Sequence, residues 1–168
     1  MRNSALTACL MLLTAALPLK AQKLAASLNG LWLATGIVNA GAEMTVGRST
    51  TLGLSFIGIR YPWAFDEMTG IGIQPELRHY FSGRPMYHHF IGVAALSGTY
   101  DLTFNDSKYT GTAAGIGLTF GYVVPIGRRL NIDLHSGFGI IHVQDRNRGH
   151  DNLTLPTKAG VSIIYILR

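Results

Sequence analysis

Ala114-Gly115-Ile116-Gly117-Leu118-Thr119-Phe120-Gly121-Tyr122-Val123-Val124 puts an apolar residue at every second position, with mostly glycine or threonine between. Side chains on an extended strand alternate faces, so one face of this segment is greasy and the other small or polar. The rival for the uncharged run Gly111 to Gly127 is a membrane-spanning helix. Its glycines and Pro125 weigh against that, since glycine costs about 1 kcal/mol and proline about 3 kcal/mol per helical position relative to alanine.

The same alternation recurs outward from this segment. It predicts strands at Asn39 to Val46, Thr50 to Tyr61, Gly72 to Phe81, His88 to Thr103, Gly111 to Val124, Leu130 to Gln144 and Lys158 to Leu167. Short turns rich in Gly or Pro follow at Gly47-Arg48-Ser49, Ser82-Gly83-Arg84-Pro85 and Pro125-Ile126-Gly127-Arg128-Arg129. Longer polar connections are expected at Pro62 to Thr69, Asn105 to Thr110 and Asp145 to Pro156. Short and long connections therefore alternate, as in outer-membrane barrels. The short turns share one end, and the last strand finishes there. An exported chain that starts on the same side needs one more strand, and Leu24 to Leu33 supplies it despite the consecutive apolar Leu31, Trp32 and Leu33. The expected fold is an all-β, eight-stranded antiparallel up-and-down transmembrane β-barrel preceded by a signal peptide.

Composition agrees with this reading. Of 168 residues, 14% are charged and 20 are glycine, whereas ordinary soluble domains carry about 25% charged residues. Mean hydropathy is +0.24. Met1-Arg2-Asn3 followed by the apolar run Ala5 to Leu17 and a small residue at Ala21 reads as an export signal over 1–21, leaving 22–168 as the barrel. The run is shorter than the roughly 20 residues a helical span needs. Leu6-Thr7-Ala8-Cys9 resembles a lipoprotein box, but most of the apolar run follows it. Removal of the signal takes away the only cysteine, which excludes disulfides and thiol chemistry from the mature chain. The formal charge of +5 is dispersed over turns without a basic run, so nucleic acid is not an expected partner.

Face assignment concentrates charge on one surface of the sheet. Ala40, Ala42 and Met44 oppose Asn39, Gly41 and Glu43. Ile71, Ile73, Pro75, Leu77, His79 and Phe81 oppose Gln74, Glu76, Arg78 and Tyr80. Leu130, Ile132, Leu134, Phe138 and Ile140 oppose Asn131, Asp133, His135 and glycines, and the last strand sets Val161, Ile163 and Tyr165 against Lys158 and Ser162. Glu43, Glu76, Arg78, Asp133, His135 and Lys158 form the expected polar network of the lumen, with Asp101 a candidate addition. An eight-stranded ring holds side chains only, and unpaired buried charge is too costly, so Glu76 and Arg78 are expected to pair with Lys158, Glu43 or Asp133. Aromatics near strand ends, namely Tyr61, Trp63, Phe65, Tyr80, Phe81, Tyr87, Phe90, Phe104 and Tyr109, resemble interfacial girdles. The outer loops, carrying Asp66, Glu67, Asp106, Lys108, Asp145, Arg146, Arg148 and Asp151, are the expected contact surface for partners.

Asn39-Ala-Gly-Ala-Glu43, Tyr61-Pro62-Trp63, Gln74-Pro75-Glu76-Leu77-Arg78-His79-Tyr80-Phe81, Gly115 to Tyr122 and Lys158-Ala-Gly-Val161 together resemble a family of outer-membrane barrels from Bacteroidota. It is a domain of unknown function, some of whose members are encoded beside fimbrial subunit genes. The resemblance covers nearly all of the mature chain and implies residence in the cell outer membrane, among its lipid and lipopolysaccharide, with fimbrial or other surface proteins as partners. It supplies no catalytic residues. The terminal Tyr165-Ile-Leu-Arg168 lacks the final aromatic common in barrel insertion signals.

Two other functions stay open at this point. Gly30-Leu31-Trp32 matches the Gly-x-Trp of lipocalins, secreted barrels that hold small apolar ligands. His135-Ser136 invites comparison with barrels that modify lipid A, but neighbours on a strand point to opposite faces, whereas serine catalysis needs hydroxyl and imidazole within hydrogen-bond reach. The histidines lack metal-ligand spacing, and Gly115-Ile-Gly117-Leu-Thr-Phe-Gly121 fails the dinucleotide pattern. A non-enzymatic barrel without cofactor or metal, structural or engaged in surface interactions, is the expectation.

Overall fold

Period-two alternation becomes eight strands in the computed structural model, which describes residues 23–63, 67–104, 107–145 and 149–167. In chain order they are β1 (Leu24–Asn29), β2 (Ile37–Thr45), β3 (Thr50–Arg60), β4 (Met68–Tyr80), β5 (His88–Phe104), β6 (Ser107–Pro125), β7 (Leu130–Asp145) and β8 (Gly149–Ile166), with a short helix α1 (Gly30–Ala34) between the first two. Each strand pairs antiparallel with its sequence neighbours, and β8 returns to β1 to close the barrel. The fold is therefore all-β, an eight-stranded antiparallel ring. The segment 1–21 read as an export signal lies outside the described residues.

Strand tilt follows from the register. Starting at Leu28, the pairing runs through Ala40, Phe56, Ile73, Ser97, Ala114 and His142 to Asn152 on β8. Leu28 itself meets β8 at Ile163, eleven positions later. A bulge at Thr157, opposite Gly137 and Phe138, accounts for one of them. An advance of about ten residues at roughly 3.3 Å each over eight spacings of about 4.8 Å tilts the strands by about 40°. On β6 the outward apolar row Ala114 to Val124 then rises through roughly 25 Å, the height of the apolar band on membrane barrels.

Three expectations need correction. The first strand stops at Asn29 rather than Leu33. The Asn29 side chain accepts the Trp32 amide at 3.2 Å and caps α1, so Leu31-Trp32-Leu33 is a helical turn instead of an extended segment. Asn105 to Thr110 and Asp145 to Pro156 are not long loops. Phe104 registers with Ser107, and β8 begins at Gly149. Lys108, Asp145 and Asp151 thus lie on strands. The polar character of these stretches belongs to walls that project beyond the apolar band, where Thr110, Thr112, Gln144, Asn152 and Thr154 face outward.

Hydrophobic side chains sit mainly on the outside. Among the described residues twenty-nine large apolar side chains are exposed and ten hydrophobic residues are buried, so the barrel is inverted relative to a soluble one. Its base, at the end of the short turns, is sealed by an apolar plug. The turn between β4 and β5 folds inward and buries Met86 against Ala25, Ile164 and Ile166, while Tyr80, Phe90 and Val123 pack as a second cluster. Met86 and His88 both adopt left-handed backbone, at φ of 63° and 61°, a conformation costly for side chains with a Cβ. Asn131 Nδ2 holds the turn in place by donating to the Met86 carbonyl at 2.8 Å.

Candidate functional site

Above the plug, inward positions of four strands converge on one guanidinium. Glu76 and Arg78 share the inner face of β4, Glu43 comes from β2, Asp133 and His135 from β7, and Lys158 from β8. Arg78 Nη1 donates to Glu43 Oε2 at 3.3 Å and to Asp133 Oδ2 at 3.0 Å, and its Nε lies 3.0 Å from Glu76 Oε2. Lys158 Nζ donates to the same Glu76 oxygen at 2.5 Å. His135 Nδ1 is 3.2 Å from Asp133 Oδ2. The Phe90 ring, 4.3 Å from the guanidinium carbon, lies beneath this layer and joins it to the plug. All six residues assigned to the lumen from sequence meet here.

Hydroxyl and amide partners complete the layer, and the sequence reading had not singled them out as site residues. Thr51 and Tyr80 donate to Glu43 Oε1 at 2.5 and 2.8 Å, and Thr119 donates to Glu76 Oε1 at 2.6 Å. Asn29 Nδ2 approaches His135 Nε2 at 3.4 Å, and Gln74 Nε2 donates at 3.0 Å to the Thr157 carbonyl at the bulge. Strand parity was the available signal, because each occupies an inward position. Tyr80 and Phe90 accordingly leave the expected aromatic girdle, since both are buried inside. Asp101 is corrected as well. It faces outward near the loop end, bonded by Thr110 at 3.1 Å and paired with Lys108 at 3.5 Å.

Space around the charges amounts to about 20 Å³. That is on the scale of a single water site, which needs about 10–15 Å³. Glycine makes such closeness possible: a Cβ at Gly92 would stand 2.5 Å from Thr119 Oγ1, and one at Gly121 would meet the Phe90 ring at 2.6 Å. The layer therefore seals the ring. It neither conducts solutes nor, in this layer, offers the apolar cavity of a lipocalin, and Gly30-Leu31-Trp32 belongs to α1 instead. Trp32 Nε1 donates to the Ala159 carbonyl and Trp63 Nε1 to the Ala34 carbonyl, pinning that helix to β8 and to the loop end.

Other candidates are dispersed. His135 is buried in the lumen while Ser136 is exposed on the opposite face. No three His, Cys, Asp or Glu among the described residues are arranged to hold a metal ion. His88 Nδ1 lies 3.0 Å from the Tyr122 hydroxyl, and Phe81 is exposed nearby at the turn end, whereas Tyr61 and Trp63 are exposed at the loop end. Lys23 and Arg84 flank the Tyr87 ring at 5.6 and 3.9 Å, and burial together with the Arg84 charge lowers the Lys23 pKa. Of the expected outer-loop residues, Glu67 sits at a left-handed turn before β4. Asp66, Asp106, Arg146 and Arg148, like Phe65 of the girdle, lie outside the described residues.

A family model described as "Protein of unknown function (DUF3575)" matches residues 6–167. No curated protein and no solved structure matches the chain.

Proposed function

The chain belongs to the DUF3575 family of proteins of unknown function, and from its geometry we propose a non-enzymatic barrel of the cell outer membrane that presents two strand hairpins to the outside. The inversion of the barrel carries this reading. In water, a continuous belt of exposed Leu, Ile, Val and Phe far exceeds the few hundred Å² of contiguous apolar surface tolerated by soluble monomers. In a bilayer the same belt faces hydrocarbon, closure leaves no hydrogen-bonding edge within it, and the polar groups lie inside. Exposed aromatics at both ends fit the two interfaces.

The role that fits a sealed lumen is structural or recognitional. The carboxylates engaged by Arg78, Lys158 and hydroxyls stand in a layer with only about 20 Å³ of space, too little for a substrate, and the separation of His135 from Ser136 supports a reading without serine chemistry. The projecting hairpins β5–β6 and β7–β8 are the natural contact surface for lipopolysaccharide or for fimbrial and other surface proteins, as the Bacteroidota resemblance implies. Fractionation combined with a heat-modifiability gel tests the placement. The unboiled protein should migrate as a compact band from the outer-membrane fraction, and recovery as a soluble periplasmic protein would reject the proposal.

A further inference from the structure

On the outer wall one cross-strand row passes from apolar to polar residues. Val38 registers with Gly58, Gly58 with Ile71, Ile71 with Thr99, Thr99 with Thr112 and Thr112 with Gln144. Just below it the row continues the apolar band through Ala40, Phe56 and Ile73. Just above it stand Thr69, Asp101 and Thr110. Because the strands are tilted, a row climbs as it crosses the wall, so its polar half lies closer to the loop end.

Both halves are hollowed. Gly58 faces outward with nothing within 4 Å of the place its Cβ would take. A groove of about 690 Å³ opens there between Val38, Phe56, Ile71 and Ile73 and reaches Thr99 and Thr112. The same two threonines line a second hollow of about 450 Å³ together with Thr69, Asp101, Thr110 and Gln144. Each volume falls within the range of about 300–1,000 Å³ of small-molecule sites. The contents differ: aliphatic and aromatic surface below, hydroxyls, an amide and the Asp101 carboxylate above.

We propose that the two hollows form one binding site for an amphipathic lipid with an uncharged, hydroxyl-bearing headgroup. This rests on the outer-membrane placement proposed above. The acyl chain lies in the groove over Gly58, and the head meets Thr99, Thr112 and Gln144. Hydroxyls and amides both donate and accept, which matches a polyol or sugar better than an ion. A phosphate at Thr99, Thr112 and Gln144 is poorly served, because Lys108 is already engaged by Asp101, whose carboxylate also lines the upper hollow, and Arg60 stands on β3, registered with Thr69 at the far edge of that hollow. Grease alone does not discriminate among lipids, so selectivity resides in the upper hollow.

Native mass spectrometry of the full barrel, released from vesicles with bound lipid, tests the site. The probes are a monoglucosyl diacylglycerol, a phosphatidylglycerol and a phosphatidylcholine with identical acyl chains. The glucosyl lipid should be retained about tenfold better than either phospholipid, the ratio that follows from roughly 1.4 kcal/mol of extra hydrogen bonding. Thr112→Val combined with Gln144→Leu should erase that preference, while Gly58→Phe, which fills the groove from an open position, should reduce retention of all three. Equal retention of the three lipids by the wild type, or a preference that the double substitution leaves intact, overturns the site while leaving the membrane placement standing. A protein that fails to enter the vesicles brings down both.

Discussion

The plug at the base and the charged layer above it fill the same ring by opposite means. Met86, Tyr80, Phe90, Val123 and Ile164 exclude water with apolar volume, which tolerates some rearrangement. Arg78 and its carboxylates exclude it with directed bonds, which admit one arrangement. The difference teaches that the lumen is selected for occupancy rather than polarity. Where the ring meets the base, apolar filling suffices; in mid-barrel, ion pairs across the ring tie β2, β4, β7 and β8 together.

The largest expected effect comes from Arg78→Met, which leaves Glu43, Glu76 and Asp133 facing one another without the shared cation. A loss of about 3–5 kcal/mol is expected in urea unfolding of the micelle-folded barrel, the scale for a buried pair broken on one side. A change below about 1 kcal/mol would show that pairing does not hold the layer. Met86→Ala attacks the other filling. It should cost about 2–3 kcal/mol in the same measurement, near the lower end for truncating a buried methionine, because the apolar neighbours of the plug can partly repack into the void.

Tyr80 spans the comparison, its ring in the plug and its hydroxyl on Glu43. Tyr80→Phe keeps the first contact and removes the second, so a loss of about 1–2 kcal/mol isolates the share of the hydrogen bond to a charged group. Combined with Arg78→Met, the two effects should be non-additive, since both touch Glu43. The smallest effect is expected from Lys108→Gln. Its pair with Asp101 is exposed, and a shift within about 0.5 kcal/mol would set the same ionic chemistry in water against that in the lumen.

Much of this was legible because the inward and outward rows differ so strongly in chemistry. Glu76, Arg78 and Asp133 were placed inside by parity alone, and the structure brings them together. Parity failed where its contrast vanishes. On the projecting part of β6 the outward Thr110 and Thr112 alternate with Tyr109, Gly111 and Ala113, and on that of β8 the outward Asn152 and Thr154 alternate with Leu153 and Leu155, so no apolar outward row marks either stretch as a strand. Asn29 and Gly30 stopped β1 by capping a helix, a local competition that the apolar run Leu31 to Leu33 concealed. Thr51 and Thr119 escaped notice because a threonine inside a barrel is distinguishable from one on a strand surface only when its carboxylate partner is known.

The meeting of β1 with β8 has a kinetic side. Every other junction joins neighbours along the chain, whereas this one joins Ala25–Asn29 to Ser162–Ile166 across nearly the whole sequence, over only five residues of register. Hairpins zip early because little loop entropy opposes them; the closing junction must wait for all the rest. Ring closure is then the slow step of assembly, and this short seam is the place where a newly made barrel stays open longest.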